Sequence, residues 1–455
     1  MEKVFFGIDI GGKSHSVHFI DEKKRPLCKD LVIDDDIVGY HQVIEAIRRL
    51  KEKHPGARFH GGAEATGIYW RNLFFFFQNE LPDVTLSLIN PLQTKRFKDL
   101  ELDRVKTDAT DARSIARYTA TFEPEAAPSV PEHLADLQEL CRYRKAKLKE
   151  QSKYTNLLHN YLKQAFPELC GRVKRKAGLR ILALLSSFPT ARDVREANAS
   201  EIASIRYGKR NFKVGAETAS EMKGLAENSV ASRTGPGMGF AVRSVAANIL
   251  RIRGELAALE EKIAELYSSC PATYLVTIPG VGPLSAAVIE SEIKNISRFT
   301  TAKKLNGYIG AYPELRESGE FRLLKPRMTK CGNRYLNHAV YMCVLAAISP
   351  KAPDSTIKHM YWRQVAQGKE RMVAIGSCMR KMNHIIFGIL MSGKPFEASY
   401  EFPEDSFEVR FVDRETGCVV PEELAASCET AVAVRWKRAA APKPKRRKKE
   451  VARPS

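Results

Sequence analysis

The sequence predicts a mixed α/β and α protein with an RNase-H-like N-terminal domain, a long coiled-coil helical stalk that carries an insertion, and a mainly helical C-terminal domain. Three observations predict this class. Apolar runs and then alternating helical and strand patterns fill residues 4–89, a heptad pattern occupies residues 249–266, and a glycine-containing turn follows Tyr274. At 455 residues the chain is too long for one ordinary core, so several domains are expected.

The N-terminal domain is predicted element by element from its apolar spacing. A meander of three strands comes first, and helices then alternate with two further strands, which is the order of an RNase-H-like fold. Apolar residues three and four positions apart predict a helix over Tyr40–Lys53, and Thr107 is a suitable N-cap for a helix that runs to Tyr118. The remaining predicted elements are strands at Val4–Ile8, Ser16–Asp21, Leu27–Ile33, Arg58–Ala63 and Val84–Ile89, and a helix at Ile68–Glu80.

Two long helices are predicted after a Pro- and Ala-rich linker. Leu134–Phe166 carries an apolar stripe, and a helix that begins near Ala246 repeats apolar residues at spacings of 3 and 4. These helices can pair as an antiparallel stalk within one chain or between subunits. The predicted domains are 1–125, the stalk at 130–268 with an insertion at about 167–240, the C-terminal domain at 269–397, and an acidic segment, which can form a hairpin, with a disordered basic tail at 398–455.

Composition restricts the partner and the compartment. Lys and Arg outnumber Asp and Glu by 73 to 53, a net charge of +20, which favours a polyanion because phosphate neutralisation releases counterions. Nine scattered cysteines without a C-x-x-C pair are expected to be buried thiols in a reducing cytosol. The sequence shows neither a signal peptide nor an apolar run long enough to cross a membrane, so we expect a cytoplasmic protein without a membrane partner.

Four carboxylates are placed to bind a metal ion. Asp9 follows the first predicted strand and Glu64 the fourth, and these strand ends lie side by side in an RNase-H-like sheet. Asp108 and Asp111 are three residues apart and share one helix face. Such hard oxygen ligands suit Mg²⁺ or Mn²⁺ in phosphoryl transfer. The alternative is that the helical pair only stabilises a helix first turn. Nearby acidic residues more typical of solvated positions are Asp99, Glu101 and Asp103.

The segment TIPGVGP predicts a helix-hairpin-helix turn in the C-terminal domain. Gly280 and Gly282 permit a tight backbone, and the helix that follows begins with free N–H groups. Such a turn binds DNA phosphates without reading the sequence. The alternative is a plain packing corner between helices.

Ser318 stands in a cluster of cations and is a candidate nucleophile. Cations around a serine would hold a phosphate and stabilise the charge that develops during attack. The alternative is a turn serine in a basic DNA-binding loop. The cations of this cluster are Arg316, Arg322, Lys325, Arg327, Lys330 and Arg334.

Seven separated motifs resemble one known family, the DEDD-type insertion-sequence transposases that use a C-terminal serine and a guide ("bridge") RNA. The resemblance covers residues 1–395 in order. It implies a RuvC-like N-terminal domain whose four acidic positions fall on Asp9, Glu64, Asp108 and Asp111. The motifs are GIDIGGKSH, AEATGIYW, KTDATDARSIARY, CRYRKAK within the long helix, TIPGVGP, SRFTTAKKLNGYIGAYP and SG…K…TKCGNRYLNHAV.

The same resemblance implies the chemistry and the partners. The family's nucleophilic serine falls on Ser318, which would form a phosphoserine intermediate while the chain cuts and rejoins donor and target DNA. The metal site of one subunit would work with the serine domain of another, in dimers that assemble into a homotetramer. A bridge RNA would select both DNA sites, and we expect the protein to associate with the bacterial nucleoid.

Three other functions are compatible with these sequence features. A RuvC-like endonuclease or junction resolvase would use the four carboxylates with water as the nucleophile. An actin-like ATPase or sugar kinase shares the pattern FGIDIGGKSHSVHF, although the sequence shows no convincing second phosphate loop. A nonenzymatic nucleic-acid-binding protein would need only the positive charge.

Overall fold

The computed structural model divides the chain into two compact units, 1–130 and 131–455. The predicted division into four segments is finer than this and stays a prediction. The residues that the structure describes are 2–65, 67–101, 107–127, 130–173, 177–208, 210–271, 273–312, 317–318, 321–322, 328–329, 331–397 and 407–437, with the backbone alone at 172, 317–318, 321–322, 407–408 and 435–437.

A five-stranded sheet is the centre of the described part of the first unit. Its strands are ordered β3-β2-β1-β4-β5, with antiparallel pairing from β1 to β3 and parallel pairing of β1 with β4 and of β4 with β5. This mixed α/β arrangement is consistent with the predicted RNase-H-like fold. The third strand begins four residues later than predicted, because Pro26 pairs with Ile20 in an isolated bridge before the chain turns. The strands are β1 Lys3–Ile10, β2 Ser14–Asp21, β3 Leu31–Asp34, β4 Arg58–Glu64 and β5 Thr85–Ile89.

Helices cover the sheet, and the predicted N-cap at Thr107 is confirmed. The Thr107 hydroxyl accepts a hydrogen bond from the Thr110 amide at 3.2 Å, which opens α4. One helix, α3, was not predicted, although Asn90 and Pro91 are a typical helix start. The helices of this unit are α1 Ile37–Lys53, α2 Trp70–Glu80, α3 Pro91–Glu101 and α4 Asp108–Phe122.

Two glycines let α4 lie directly on the sheet. A Cβ atom on Gly7 of β1 would come within 2.2 Å of the Ala112 carbonyl oxygen, and one on Gly62 of β4 within 2.1 Å of the Thr119 hydroxyl. Any larger residue at these positions would push the helix outward. The close approach therefore sets the height of the first turn of α4 above the ends of the strands.

In the second unit, the two long helices pair as an antiparallel stalk within the chain. Leu137 packs in one cluster with Ile263, while Leu158 packs in another with Ile249, so the heptad interpretation is confirmed. The second helix begins ten residues earlier than predicted, because Pro236 favours a first helical position. The stalk and its insertion comprise α5 Glu132–Ala165, α6 Pro167–Arg172, α7 Leu179–Ser187, α8 Ala191–Glu196, α9 Ala199–Ser204, β6 Arg206–Tyr207, β7 Phe212–Lys213, α10 Ala216–Glu227 and α11 Pro236–Ser268.

The rest of the second unit is mainly helical around one core. The predicted hairpin in the acidic segment is confirmed, and its sheet buries Val412 and Val434 in the same core as the helices. The elements are 3₁₀ helices at Leu275–Thr277 and Ile296–Arg298, α12 Pro283–Ile293, α13 Ala302–Ile309, β8 Glu317–Ser318, β9 Phe321–Arg322, α14 Arg334–Ala347, α15 Thr356–Ala366, α16 Arg371–Ser392, β10 Phe407–Asp413, β11 Val419–Val420, α17 Glu422–Ala425 and β12 Ala431–Lys437.

Two chain-wide expectations can be compared with the described residues. All nine cysteines carry free thiols, but Cys28, Cys331 and Cys418 are exposed rather than buried as expected. Among the described helices, none combines the length and the apolar character needed to cross a membrane.

Candidate active site

The ends of β1 and β4 bring Asp9 and Glu64 together. Ile8 pairs with Ala63 in the parallel register of these strands, so the next residue on each strand, Asp9 and Glu64, occupies a neighbouring position. Both side chains are half-buried at the carboxyl edge of the sheet. The sequence-based expectation that these strand ends meet is confirmed.

The first turn of α4 supplies the other two carboxylates. Asp108 is the first residue of the helix and Asp111 lies one turn further on. Ala112, which follows Asp111, touches β1 at Gly7, two residues before Asp9. The helix that lies on the sheet therefore carries its acidic turn to the same edge as Asp9.

The electrostatics of Asp9 show that the four carboxylates interact. Burial, followed by the negative charges of Asp111, Asp108 and Glu64, raises the pKa of Asp9 to about 6. The positive charge of Lys98 opposes this shift. Crowded acids of this kind are costly to keep ionised without a cation, which is typical of functional sites.

Two side chains of α3, which sequence reasoning missed, contact these carboxylates. The Lys98 ammonium lies 2.9 Å from Asp111 Oδ1, and both side chains are largely buried. The Thr94 hydroxyl donates a hydrogen bond to Glu64 Oε1 at 2.5 Å. Thr94 and Lys98 are four residues apart and share a helix face. Recognising the helix start at Asn90 and Pro91 would have placed them near the site.

The donor chemistry of this carboxylate cluster fits a hard divalent cation. Its four residues offer only carboxylate oxygens, the ligands that Mg²⁺ and Mn²⁺ prefer. The ammonium of Lys98 stands in as the cation next to Asp111. Within the described ranges, no group of three or more His, Cys, Asp or Glu side chains is arranged closely enough to hold a metal ion. Binding one would therefore require Lys98 to move and the carboxylates to converge.

Ser318 lies beside the turn of a short hairpin in the second unit. It pairs with Phe321 across β8 and β9, and the backbone of Arg322 continues the second strand. Among the predicted cations, Arg334 opens α14 and stacks its guanidinium over the Tyr335 ring at 5.0 Å. Four others, Arg316, Lys325, Arg327 and Lys330, lie outside the described residues.

The chain segments on either side of the serine hairpin are tied to each other. The Thr329 amide donates to the Tyr312 carbonyl at 3.0 Å. Gly332 has a φ of +112°, and a Cβ atom there would come within 2.7 Å of the Gly310 nitrogen. A glycine is thus required where the returning chain crosses the end of α13. The chain segments that flank the hairpin are therefore closely packed against each other at the end of α13.

The predicted helix-hairpin-helix turn differs from the observed one. A three-residue 3₁₀ helix precedes the turn, because Pro279 disfavours the helical conformation at Ile278. Gly280 has a φ of +91°, and its missing side chain leaves room for the Cys343 carbonyl of α14. Gly282 is exposed and caps α12. Gly280 thus forms a packing corner, and DNA contact at Gly282 stays a prediction.

Two segments of the chain match models of known protein families. Residues 6–167 match a family model for the DEDD transposase of IS110, described as a transposase. Residues 272–359 match a second model, described as a transposase of the IS116/IS110/IS902 family. The first match covers the carboxylate cluster and the second covers the serine hairpin.

Individual relatives align along most of the chain. A 43.6 kDa protein of insertion element IS110 from Streptomyces coelicolor is 26% identical, covering 68% of this chain and 76% of its own length. A 44.8 kDa protein of insertion element IS116 from Streptomyces clavuligerus is 22% identical, covering 87% and 96%. A pilin gene-inverting protein from Moraxella lacunata is 23% identical, covering 87% and 98%.

Proposed function

We propose that this chain, a member of the IS110/IS116/IS902 family of transposases, cuts and rejoins DNA. The reaction would use a metal-binding carboxylate cluster and a serine nucleophile, Ser318. As a transposase or recombinase, the protein acts on DNA. Its net charge of +20 favours binding to this polyanion. The observation that carries the proposal is the placement of three carboxylates, Glu64 at the end of β4 and Asp108 and Asp111 in the first turn of α4, around Asp9. Together with burial, they raise the pKa of Asp9 to about 6.

Asp9, Glu64, Asp108 and Asp111 would hold the divalent metal. When bound, Mg²⁺ or Mn²⁺ supplies Lewis-acid polarisation of the phosphate to be attacked. The protein's own part is to fix its ligands. Thr94 orients Glu64 through its hydrogen bond, and the direct seating of α4 on Gly7 fixes the height of Asp108 and Asp111.

Ser318 would carry the DNA strand between cleavage and joining. Its hydroxyl loses a proton and attacks phosphorus, a serine–phosphate bond forms, and the bond to the leaving strand oxygen breaks with a proton delivered to that oxygen. In the reverse step a strand hydroxyl attacks the phosphoserine and the serine leaves. The number of phosphodiester bonds is unchanged, so no external energy source is needed.

Assembly and guidance follow from the resemblance rather than from the contacts of one chain. We propose that the serine segment of one subunit serves the carboxylate cluster of another, within a homotetramer on donor and target DNA. A bridge RNA would bind basic surfaces and choose the two sites by base pairing. Arg334, held over Tyr335, is suited to a phosphate of either nucleic acid.

Trapping a protein–DNA adduct tests the serine mechanism. Labelled substrate DNA is incubated with Mg²⁺ and guide RNA, and denatured samples are examined for DNA linked to protein. We expect the adduct with the wild type and with Ser297→Ala, an exposed serine of the same unit. We expect none with Ser318→Ala. Strand joining by Ser318→Ala would overturn the mechanism, and cleavage without joining would favour a hydrolytic nuclease that uses water.

A further inference from the structure

A buried carboxylate, Glu292 of α12, is the centre of a polar network in the second unit. Its side chain is 1% exposed. Arg142 of α5 binds it with two hydrogen bonds, Nε to Oε1 at 2.7 Å and a terminal nitrogen to Oε2 at 2.9 Å. Gln138 and Asn333 each donate to Oε2, at 3.0 and 2.7 Å. We call Glu292, Gln138, Arg142 and Asn333 the Glu292 network.

Four hydrogen bonds from described residues reach the carboxylate, one at Oε1 and three at Oε2. Burial of an ion without such partners is strongly unfavourable. Glu292 in turn raises the pKa of Arg142, so this guanidinium stays charged. The guanidinium also lies 4.9 Å from the centroid of the Tyr335 ring, which leaves it little freedom. A single substitution here leaves a buried group unpaired.

Asn333 connects the network to the elements around the serine hairpin. Its side-chain oxygen caps α14 by accepting from the amides of Tyr335 and Leu336 at 3.0 and 3.1 Å. Its own amide donates to the Tyr308 carbonyl of α13 at 2.8 Å. Its side-chain nitrogen binds Glu292 and the Tyr308 hydroxyl. Asn333 therefore joins α12, α13 and α14, and Glu292 links it to the stalk through Gln138 and Arg142.

In chain order, the serine hairpin lies between α13 and α14, the two helices that Asn333 joins. The chain leaves α13 for Ser318 and returns at Thr329, which bonds to Tyr312. On α14, Asn337 donates to the carbonyls of Ile309 and Gly310 at 3.2 and 3.4 Å. The two ends of the hairpin segment are thus held at α13 and α14, the helices that Asn333 joins to each other and to Glu292.

We propose that Glu292 is a positioning residue for the serine step, acting through Asn333 and anchored to the stalk by Arg142. It does not touch DNA in this scheme. This inference rests on the proposed role of Ser318. It predicts that loss of the network slows serine attack on bound DNA while DNA affinity is retained.

A second ion pair of the same stalk provides a matched control. Arg144 and Glu260 join α5 to α11, with contacts of 2.8 and 2.6 Å. Their side chains are 25% and 39% exposed, and among the described residues neither forms a hydrogen bond or ion pair with α12, α13 or α14. Substitution of Glu260 removes a stalk ion pair without disturbing the base of the hairpin.

The experiment compares Glu292→Gln with Glu260→Gln in the full chain with guide RNA. Gln at 292 keeps the shape of Glu but turns an amide nitrogen toward groups that donate. We measure DNA affinity and the rate of adduct formation at saturating DNA. For Glu292→Gln we expect adduct formation slower by about tenfold or more, since small misplacements of a reacting group are costly, with affinity within about twofold. Glu260→Gln should match the wild type in both.

Three outcomes would overturn the inference: an unchanged adduct rate in Glu292→Gln, an equal loss in both variants, or a parallel loss of DNA affinity. If Glu292→Gln does not fold, Gln138→Met removes one donor and leaves Arg142 paired. It should still slow the adduct rate at saturating DNA, and a wild-type rate would reject the inference. A wild type that forms no serine adduct would instead refute the proposed function.

Discussion

Asp9 in the first unit and Glu292 in the second are both carboxylates withdrawn from water, but their surroundings differ in sign. Glu292 faces an arginine and two amide donors. Asp9 faces three further carboxylates and one lysine, and its pKa is raised to about 6. Among the described residues, the first arrangement pairs the carboxylate with a guanidinium, whereas the second sets four carboxylates against one lysine.

The difference separates two uses of buried charge. A compensated carboxylate stabilises a particular packing of helices, because its removal leaves donors unpaired. A crowded set of carboxylates opposes folding and is retained where a ligand supplies the missing charge. The carboxylate cluster should therefore lose function but not stability when neutralised, and the Glu292 network should lose stability.

The largest expected effect is on catalysis by Asp9→Asn. Loss of one metal ligand should slow DNA cleavage by about a thousandfold, because a bound metal supplies several kcal/mol of transition-state stabilisation. The metal-free variant should melt at a higher temperature than the wild type, since one of the crowded charges is gone. Cleavage rates and thermal unfolding in EDTA measure the two effects. Asp99→Asn, at an exposed position of α3, is the control. A destabilised Asp9→Asn would remove the contrast with Glu292.

The next effect is on stability, from Arg142→Met. Breaking one side of a buried ion pair costs about 3–5 kcal/mol, and we expect the lower end because Arg142 is 29% exposed. Urea unfolding measures it. The double variant Arg142→Met/Glu292→Met should recover part of the loss, because no buried charge is left unpaired, although Gln138 and Asn333 each lose an acceptor. Arg144→Met should cost at most about 1 kcal/mol, as exposed pairs do. Equal losses of unfolding free energy in Arg142→Met and Arg144→Met would show that the Glu292 network contributes no more stability than an exposed ion pair.

A smaller effect tests the seating of α4 on β1. Gly7→Ala places a Cβ atom 2.2 Å from the Ala112 carbonyl and should cost about 1–3 kcal/mol by overpacking. It should also slow cleavage, since Asp108 and Asp111 move with the helix. Gly254→Ala, at an exposed helical position with open space, should be neutral or stabilising by up to about 1 kcal/mol. Normal cleavage by a folded Gly7→Ala protein would show that the height of α4 does not matter.

The smallest effect concerns Lys98, the cation within the carboxylate cluster. Lys98→Gln removes the charge that competes for Asp111, so Mn²⁺ should bind about fivefold more tightly, the equivalent of roughly 1 kcal/mol for a partly exposed pair. Titration calorimetry measures this change. Lys95→Gln, on an exposed position of the same helix, should leave the affinity unchanged. Weaker binding in Lys98→Gln would mean that the lysine supports the metal rather than replaces it.

The sequence predicted the parts of the molecule that depend on local spacing. Strands β1 and β4, the N-cap at Thr107 and the heptad stripe each follow from residues within a few turns of one another. Asp9 and Glu64 could be placed together because parallel strands end at one edge of a sheet. The predicted order of strands and helices in this mixed α/β domain then needed no knowledge of side-chain packing.

Contacts between residues distant in the chain were not predictable in the same way. Gln138 and Arg142 meet Glu292 some 150 positions later, and no spacing rule links them. Lys98 was missed because α3 was missed. The turn at Gly280 was expected to present a backbone to DNA, but its packing against α14 depends on a helix more than sixty residues away.

Metal binding by the carboxylate cluster is the claim on which the rest depends, and calorimetric titration of the wild type and Asp9→Asn with Mn²⁺ tests it most directly. We expect saturable binding by the wild type, together with a higher melting temperature at saturating Mn²⁺ because the ion binds the folded state. Asp9→Asn should lose both effects while it stays folded. Absence of binding by the folded wild type, or equal binding by the two proteins, would contradict the claim.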